Sequence, residues 1–446
     1  MKKDNTRWID KLSVAALASS QVDSALYTKY DVKRGLRDVN GKGVLAGLTK
    51  IGEVQAHPEG RPDGPGHLIY RGLDVQDLVD GFWAEGRCGY EEIVHLLLSG
   101  HLPTATEWTA FREKLSACRE LSHEFIGSIL NLASQDVMNA MARAVLALYT
   151  MDDRPDDTSL SNVMRQCLFL IATFPMLAVY SYRAAAYRHG GKSLIVRSPR
   201  PDLSAAGNFL YMLRKDKEFS PLEERLLDLA LVLHAEHGGG NNSSFTTHVV
   251  TSSGTDTYSV IAAALGSLKG PRHGGANAKV VQMFGDLKKS VRDWTDDHAV
   301  EDYLLHLLRK KAFDHMGLIY GMGHAVYSTS DPRTGILRTH IEPLAKEKGV
   351  DEELNLYKRV ERLAPGVIAT ERRIYKGVSA NVDFYSGFLY RLLDIPQKLF
   401  TPIFAVARIA GWSAHRLEEL ANGGKIIRPA YKAVSQRKRY VVMPRR

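Results

Sequence analysis

The chain has 446 residues, of which 44% are hydrophobic and 24% charged, a composition typical of a soluble globular protein. This length predicts one large domain together with a smaller one. The three cysteines, Cys88, Cys118 and Cys167, are far apart and match neither a metal-binding nor a disulfide spacing, which indicates a reducing compartment.

Most of the formal net charge of +9 comes from residues 425–446, which contain eight lysines and arginines and no acidic residue. Such a tail is found in some nucleic-acid-binding proteins, but no nucleic-acid motif or interleaved aromatic pattern accompanies it here. A solvated or subunit-wrapping tail that also attracts anionic substrates is the favoured interpretation. We therefore predict no nucleic-acid partner.

Asp4 and Asp10 interrupt the basic N-terminus, so neither a signal peptide nor a transit peptide is predicted. The longest uncharged apolar run, 167–182, contains Pro175 and is shorter than the roughly 20 residues that a membrane span needs. It predicts a buried core helix with a kink. Together these features predict a cytoplasmic protein that has no membrane segment.

In chain order, residues 1–36 predict a helical, mixed-charge arm, and strands are predicted only at 48–54 and 67–70. A turn-rich loop at 57–66 joins these strands into a small hairpin. Helical patterns then follow one another from 74 to 188, with breaks at 86–89, 100–103, 152–157 and 190–191. The fold class is therefore all-α. Neither a dinucleotide fingerprint nor a phosphate-binding loop occurs, so nicotinamide chemistry and nucleotide hydrolysis have no support.

The segment 220–277 carries the clearest signals. Ser220 and Glu223 form a capping box with a proline between them, and the helix that they begin ends near His234 and His237 beside three glycines. A second helix, capped near residue 256, leads to His273 on the glycine loop 270–277. Because another helix starts there, a second positive charge is disfavoured and a neutral imidazole is expected.

Two further segments resemble functional loops. After charged, amphipathic helices at 278–315, the stretch 317–333 is a glycine-rich loop that carries His324. In the segment 380–387, Asn381 can cap a helix and Asp383 would lie in its first turn, near the positive end of the helix dipole.

The loop histidines His237, His273 and His324 and the carboxylate of Asp383 raise the question of a metal site. His-x-x-His is a ligand spacing, but zinc pairs on helices usually stand at His-x-x-x-His, and no cysteine lies near. We therefore predict no metal. Alone, His234 and His248 are more typical of core or supporting histidines.

Four long motifs resemble those of the citrate synthase family, in the family's order. They are His-Ala-Glu-His-Gly-Gly-Gly-Asn at 234–241, Gly-Pro-Arg-His-Gly-Gly-Ala-Asn at 270–277, Gly-Met-Gly-His-Ala-Val-Tyr with Asp-Pro-Arg at 321–333, and Asn-Val-Asp-Phe-Tyr-Ser-Gly at 381–387. Ile-Tyr-Arg-Gly at 69–72 and Arg-Pro at 428–429 extend the resemblance over most of the chain. The extended loop at 57–66, and Met322 where an aromatic residue is common, depart from the family pattern.

The resemblance implies condensation of acetyl-CoA, as cosubstrate, with oxaloacetate, and no permanently bound cofactor. A thioester α-proton is very weakly acidic, so a carboxylate base must be paired with a donor that stabilises the developing enolate. Asp383 resembles the base and His273 the neutral donor. His324 matches the residue that polarises and protonates the ketone.

The two carboxylates of oxaloacetate need fixed arginines as partners. By resemblance these arginines are Arg333, Arg408 and Arg428, and His237 completes the oxaloacetate pocket. Arg428 would reach into the neighbouring subunit's site, which implies a homodimer. The coenzyme A contacts implied by the resemblance are Leu318, Gly321, Met322, Gly323, Lys376 and Asn381.

The resemblance also implies a large helical domain, 1–274 with 387–446, and a small inserted domain, 275–386, which close around the site after oxaloacetate binds. A 2-methylcitrate synthase that uses propionyl-CoA is the main alternative, because one methylene changes binding in an apolar pocket by only about 1 to 3 kcal/mol. A cleavage role like that of citryl-CoA lyases, and a non-catalytic helical nucleic-acid binder, remain open.

Overall fold

The computed structural model describes residues 3–38, 42–56, 64–324, 326–327, 329–373 and 377–443. The chain forms two compact units, Met1–Leu48 and Thr49–Arg446. The first unit contains α1 (Lys3–Ser20) and α2 (Ser24–Lys29), which confirms the predicted helical arm. The side chain of Asp23 caps α2 by accepting a hydrogen bond from the Ala25 amide.

The second unit opens with a small antiparallel sheet of β1 (Gly52–Gln55), β2 (His67–Tyr70) and β3 (Leu73–Asp74). The predicted pairing of the first two strands is confirmed, with Gly52 opposite Tyr70. The sequence analysis missed β3. A tight turn makes this strand, since Arg71 and Gly72 both have positive φ, and only two residues follow before a helix begins. Most of the predicted turn-rich loop, residues 57–63, lies outside the described residues.

Helices α3 to α9 follow. Helices are separated at the predicted breaks, but two further breaks, at 118–122 and 132–136, were not predicted. They are α3 (Val75–Ala84), α4 (Tyr90–Ser99), α5 (Ala105–Ala117), α6 (His123–Asn131), α7 (Val137–Leu148), α8 (Leu160–Gly190) and α9 (Ala205–Leu213). By length and composition α8 could cross a membrane, but 78% of its most apolar window is buried inside the protein. It packs against α7, α9 and the last helix of the chain and runs through Pro175, so it is a core helix, as predicted.

The remaining helices carry the predicted functional segments. They are α10 (Pro221–His234), α11 (Asn242–Thr251), α12 (Thr257–Lys269), α13 (Ala276–Ser290), α14 (Asp297–Leu308), α15 (Pro332–Glu347), α16 (Asp351–Arg372), α17 (Val382–Leu392) and α18 (Phe400–Ala421). The capping box of Ser220 and Glu223 is present with both hydrogen bonds, and Asp256 and Asn381 cap α12 and α17. These local predictions are confirmed.

Helix α18 lies at the centre of the second unit. It packs against α4, α8, α10 and α11, and nearly every side chain from Phe400 to Arg416 is buried. A helix that is buried on all sides belongs to a protein core. A second group of helices packs mutually, α13 and α15 against α17 and α14 against α16. The fold is therefore all-α with one small sheet.

Candidate active site

The turn after α10 brings His237 next to His324. The Tyr70 hydroxyl donates to the carbonyl of Val232 at 3.0 Å and so ties the end of α10 to the sheet. The imidazole centroids of His237 and His324 are 5.2 Å apart, although the two residues are distant in sequence. Burial, with the positive charges of Arg333 and other neighbours, holds the pKa of His237 well below its usual value. His237 is therefore neutral, and its buried Nε2 has no hydrogen-bond partner among the described residues.

The hydrogen bonds of His324 decide which of its nitrogens carries the proton. The backbone N–H groups of Val326 and Tyr327 both donate to its Nδ1 at 3.0 Å. A nitrogen that accepts hydrogen bonds is unprotonated, so the neutral ring carries its hydrogen on Nε2. His324 is thus arranged to donate from Nε2.

His273 lies on the loop between α12 and α13. Its Nε2 is 3.1 Å from the hydroxyl oxygen of Ser243, which also accepts a hydrogen bond from the Trp412 indole at 3.0 Å. Burial, assisted by the positive charge of Arg408, lowers the pKa of His273 to about 4. The imidazole is therefore neutral at physiological pH, as the sequence predicts.

Asp383, in the first turn of α17, is half-buried as a residue, but its carboxylate oxygen Oδ1 is fully buried. Its N–H donates to the Asn381 cap at 3.1 Å, whereas its Oδ1 has no hydrogen-bond partner within the described parts of the chain. Burial raises its pKa from 3.8 to about 6, although the charges of Arg333 and Arg408 oppose the rise. Asp383 is thus mostly ionised at pH 7 and is a far stronger base than an exposed aspartate.

Arg333 is fixed by a buried ion pair at the start of α15. Its Nε and Nη2 donate to the two oxygens of Asp331 at 3.0 and 2.7 Å, a bidentate arrangement. Asp331 also accepts from the Val382 N–H at 3.2 Å, so one carboxylate links the arginine to the helix that carries Asp383. The ion pair with Asp331 outweighs the effect of burial and raises the pKa of Arg333.

Arg408 lies in the middle of α18 and is fully buried. Its Nε donates to the carbonyl of His234 at 2.6 Å, and its guanidinium carbon lies 4.7 Å from the centre of the Phe404 ring. Nη1 and Nη2 have no partner among the residues that the structure describes. Burial lowers the pKa of Arg408 to about 10, which leaves it charged. Two free guanidinium N–H edges of this kind suit an anionic ligand.

The predicted coenzyme A segments lie beside Asp383. Met322 forms an antiparallel bridge with Ala380, and the Asn381 N–H donates to the carbonyl of Gly321 at 2.9 Å. The Asn381 side chain donates to the carbonyl of Gly323 at 2.9 Å. Leu318, at the start of the loop, is exposed. The structure thus brings Leu318–Gly323 and Asn381 together, whereas Lys376 lies outside the described residues.

Arg428 does not join the other arginines within its own chain. It is exposed in the extended segment after α18, which is anchored where the Ile427 N–H donates to Ser252 at 3.1 Å. The structure therefore brings together His237, His273, His324, Arg333, Arg408 and Asp383 but leaves Arg428 apart.

Four supporting residues escaped the sequence analysis. Asp331 was quoted within a motif, and its position two residues before Arg333 is a local signal for both a cap and an ion pair. Phe404, one helical turn before Arg408, stacks on the His234 ring with centroids 4.5 Å apart. The bond between Ser243 and Trp412 joins residues 169 positions apart, for which a single sequence has no signal.

A cluster of His248, His415 and Glu418 places three possible metal-ligand atoms within 4.8 Å of one another. Burial alone would lower the pKa of His415, but the carboxylate of Glu236 raises it to about 9. His415 therefore carries a proton on both nitrogens at neutral pH. The distances between the side chains of this cluster are those of hydrogen bonds and ion pairs around a charged His415.

The combination of groups limits the chemistry. A basic carboxylate, two neutral imidazoles and two buried arginines suit removal of a proton next to a carbonyl, with an anionic partner bound beside it. None of these groups is a nucleophile of the serine or cysteine type.

Comparison with known proteins agrees with this chemistry. A family model described as citrate synthase, C-terminal domain, matches residues 36–430. Citrate synthase of Deinococcus radiodurans is 36% identical over 365 residues, which cover 82% of this chain and 88% of that protein. The 2-methylcitrate synthase of Shewanella oneidensis is 32% identical over 401 residues, which cover 89% of this chain and 95% of that one.

Among solved structures, the ternary complex of carboxymethyl coenzyme A and oxaloacetate with citrate synthase from Thermoplasma acidophilum superposes with a TM-score of 0.74 at 26% identity. The match covers 92% of this chain and 98% of that chain. Fold and site therefore define an all-α acyltransferase. The chain belongs to the citrate synthase family.

Proposed function

We propose that this protein condenses acetyl-CoA with oxaloacetate and water to form citrate and coenzyme A. The observation that carries the proposal is that an ionisable base, Asp383, lies near the neutral imidazole of His273 and near the guanidinium edge of Arg408, which has no partner among the described residues. Family membership supports the same reaction.

In the proposed first step, Asp383 removes a proton from the methyl group of acetyl-CoA while His273 donates a hydrogen bond to the thioester oxygen. Because Nε2 of His273 lies at Ser243, this donor must be Nδ1–H. In that tautomer the Ser243 hydroxyl, which otherwise donates to Asn241 Oδ1 at 3.0 Å, would turn to donate to Nε2 and hold the ring. A neutral donor stabilises the enolate without giving up its proton.

In the second step the enolate carbon attacks the ketone carbon of oxaloacetate, and the ketone oxygen becomes an alkoxide. His324 would protonate this oxygen from Nε2, the nitrogen left to carry the proton by the two N–H groups at Nδ1. Water then hydrolyses the citryl thioester: one proton of the water returns to His324, its oxygen becomes part of the new carboxyl group of citrate, and the departing coenzyme A thiolate takes the proton held by Asp383.

For oxaloacetate we propose the arginines Arg333 and Arg408 together with His237. Both arginines are held by fixed protein partners, so little side-chain freedom is lost when a carboxylate binds. Arg428 would complete the pocket from the other subunit of a homodimer, because it is exposed and makes no hydrogen bond or ion pair with the other proposed site residues among the described residues.

For acetyl-CoA we propose the loop Leu318–Gly323 with Asn381, and Lys376 as a further contact. The bridge between Met322 and Ala380 ties this loop to the base, so cosubstrate binding and proton removal would be coupled. No permanently bound cofactor or metal enters the proposed reaction.

We also propose the division into a large domain, 1–274 with 387–446, and a small domain, 275–386, that closes after oxaloacetate binds and expels water. The mutual packing of α13 to α17 supports a separate small domain. We place the second boundary of the small domain within α17, at Gly387. The backbones of α17 and α13 approach closely there, because a Cβ added to Gly387 would lie 2.7 Å from the carbonyl oxygen of Asn277. A cytoplasmic location is the natural setting for this reaction.

The test is thiol release from oxaloacetate with either acetyl-CoA or propionyl-CoA, compared by kcat/KM. We expect acetyl-CoA to be preferred. A clear preference for propionyl-CoA would instead support the 2-methylcitrate synthase alternative, which a relative of that activity keeps open. Steeply salt-dependent DNA binding without thiol release would support a nucleic-acid binder.

A further inference from the structure

A chain of four side chains runs from the turn that carries His237 to Glu419, which is partly exposed. Glu236 Oε1 lies 3.0 Å from His415 Nε2, His415 Nδ1 lies 3.1 Å from His248 Nε2, and His248 Nδ1 lies 2.7 Å from Glu419. One set of protons satisfies every link. His415, as a cation, donates from both nitrogens, and a neutral His248 accepts at Nε2 and donates from Nδ1 to Glu419.

Glu236, at the inner end of this chain, is fully buried and closely confined. A Cβ added to Gly52 would lie 2.7 Å from its Cγ, and one added to Gly411 would lie 2.3 Å from its Oε2. Glycine at positions 52 and 411 therefore leaves space for the Glu236 carboxylate on two sides. Its Oε1 also accepts the N–H of Gly238, which closes the turn around His237.

Glu236 also acts on Arg408. Burial has the largest effect on the pKa of Arg408 and lowers it. The negative charge of Glu236 has the next largest effect and raises this pKa. The charged and titratable groups that face Glu236 are His415, Arg408 and Tyr70. Arg408 and His415 lie on the same face of α18, seven residues apart, so one carboxylate contacts this helix at His415 and acts on it electrostatically at Arg408.

We propose that Glu236 and His415 are positioning residues for oxaloacetate, because their buried ion pair holds the His237 turn and Arg408 in register. The inference rests on the proposed function but concerns residues that do not touch the substrate. It predicts a selective effect, since the coenzyme A loop shares no hydrogen bond with this pair among the described residues.

The test uses Glu236→Gln, His415→Gln and the double variant. In His415→Gln a buried carboxylate loses its cation, and in Glu236→Gln a buried cation loses its anion. Each single variant should raise KM for oxaloacetate about tenfold or more, with KM for acetyl-CoA within twofold of wild type. The double variant should recover most of the loss, because a neutral amide pair can keep the bond to the Gly238 N–H.

The matched control is Glu223→Gln, which weakens the buried pair of Glu223 with Arg214 at the opposite end of α10. It should lower the melting temperature and leave KM for oxaloacetate within twofold. Calorimetry measures the affinity for oxaloacetate without turnover, and it should rank the variants in the same order as KM does. Unchanged affinity in both single variants, or a double variant no better than the worse single one, overturns the inference. Wild-type protein that binds oxaloacetate but releases no thiol would overturn the proposed function and leave the inference testable.

Discussion

Replacing Asp383 with asparagine should remove most of the turnover and stabilise the protein at the same time. The amide has the shape of the carboxyl group but cannot accept the substrate proton. Because Oδ1 is buried and has no hydrogen-bond partner among the described residues, its charge is uncompensated by any direct contact there. The carboxylate is therefore costly to the fold and useful to the reaction.

Both magnitudes follow from the environment of this carboxyl group. Loss of a general base lowers kcat by about 10²- to 10⁴-fold. Burial raises the pKa of Asp383 from 3.8 to about 6, so the folded state holds this proton more tightly than the unfolded chain does. Stability therefore falls as the pH rises through this window, and above it the ionised group costs about 3 kcal/mol. The amide of the Asp383→Asn variant would not carry this cost.

Turnover is measured by thiol release and stability by urea denaturation at pH 4 and pH 7. The variant should be more stable than wild type at pH 7, with the difference shrinking toward pH 4, and oxaloacetate binding should be nearly intact. In wild type, kcat/KM for acetyl-CoA should rise with pH through about 6 as the base ionises. Asp228→Asn, which alters a buried carboxyl hydrogen-bonded to the Gly89 N–H, is the control and should keep near-normal turnover. A near-normal kcat in Asp383→Asn would refute the assignment of the base.

Three other variants test the remaining parts of the proposed site. His273→Ala should lower kcat about 10²- to 10³-fold in the thiol assay, the effect of losing one oxyanion donor, with oxaloacetate affinity unchanged by calorimetry. Gly321→Ala should raise KM for acetyl-CoA, because φ is +81° and the new Cβ would lie 2.9 Å from the Phe384 ring. Asp383→Asn and Arg428→Ala, each inactive alone, should regain activity when mixed if Arg428 serves the partner's site. Subunit exchange shown by mass measurement without any recovered activity would argue against that.

The helix boundaries around the site could be predicted from the sequence. The capping box at Ser220, the cap at Asp256 and the Asn381 cap before Asp383 all depend on contacts within a few residues, so a short window of sequence contains the whole signal. The all-α class followed from the same local patterns. The neutral state of His273 was anticipated from its place before a helix, although burial is the larger cause in the structure.

The proximity of the reactive groups required the tertiary structure. His237 and His324 pack together although they are far apart in sequence, and the supports of His273 and Arg408 come from helices distant along the chain. Such contacts depend on how helix faces pack, which no local pattern specifies. From the sequence alone, each of the site arginines would be predicted to be an ordinary surface charge. Only the resemblance to the family identified them as substrate-binding residues.

Amino-acid order by itself determined where helices begin and end and which residue types stand on the glycine loops, because backbone hydrogen bonding and capping act over a few residues. Only the tertiary structure decided which groups are charged. The raised pKa of Asp383, the imidazolium of His415 and the edge of Arg408 that has no partner in the described parts of the chain all arise from burial beside residues remote in sequence. The free energy of a buried charge depends on every group around it, and these neighbours exist only once the helices have packed.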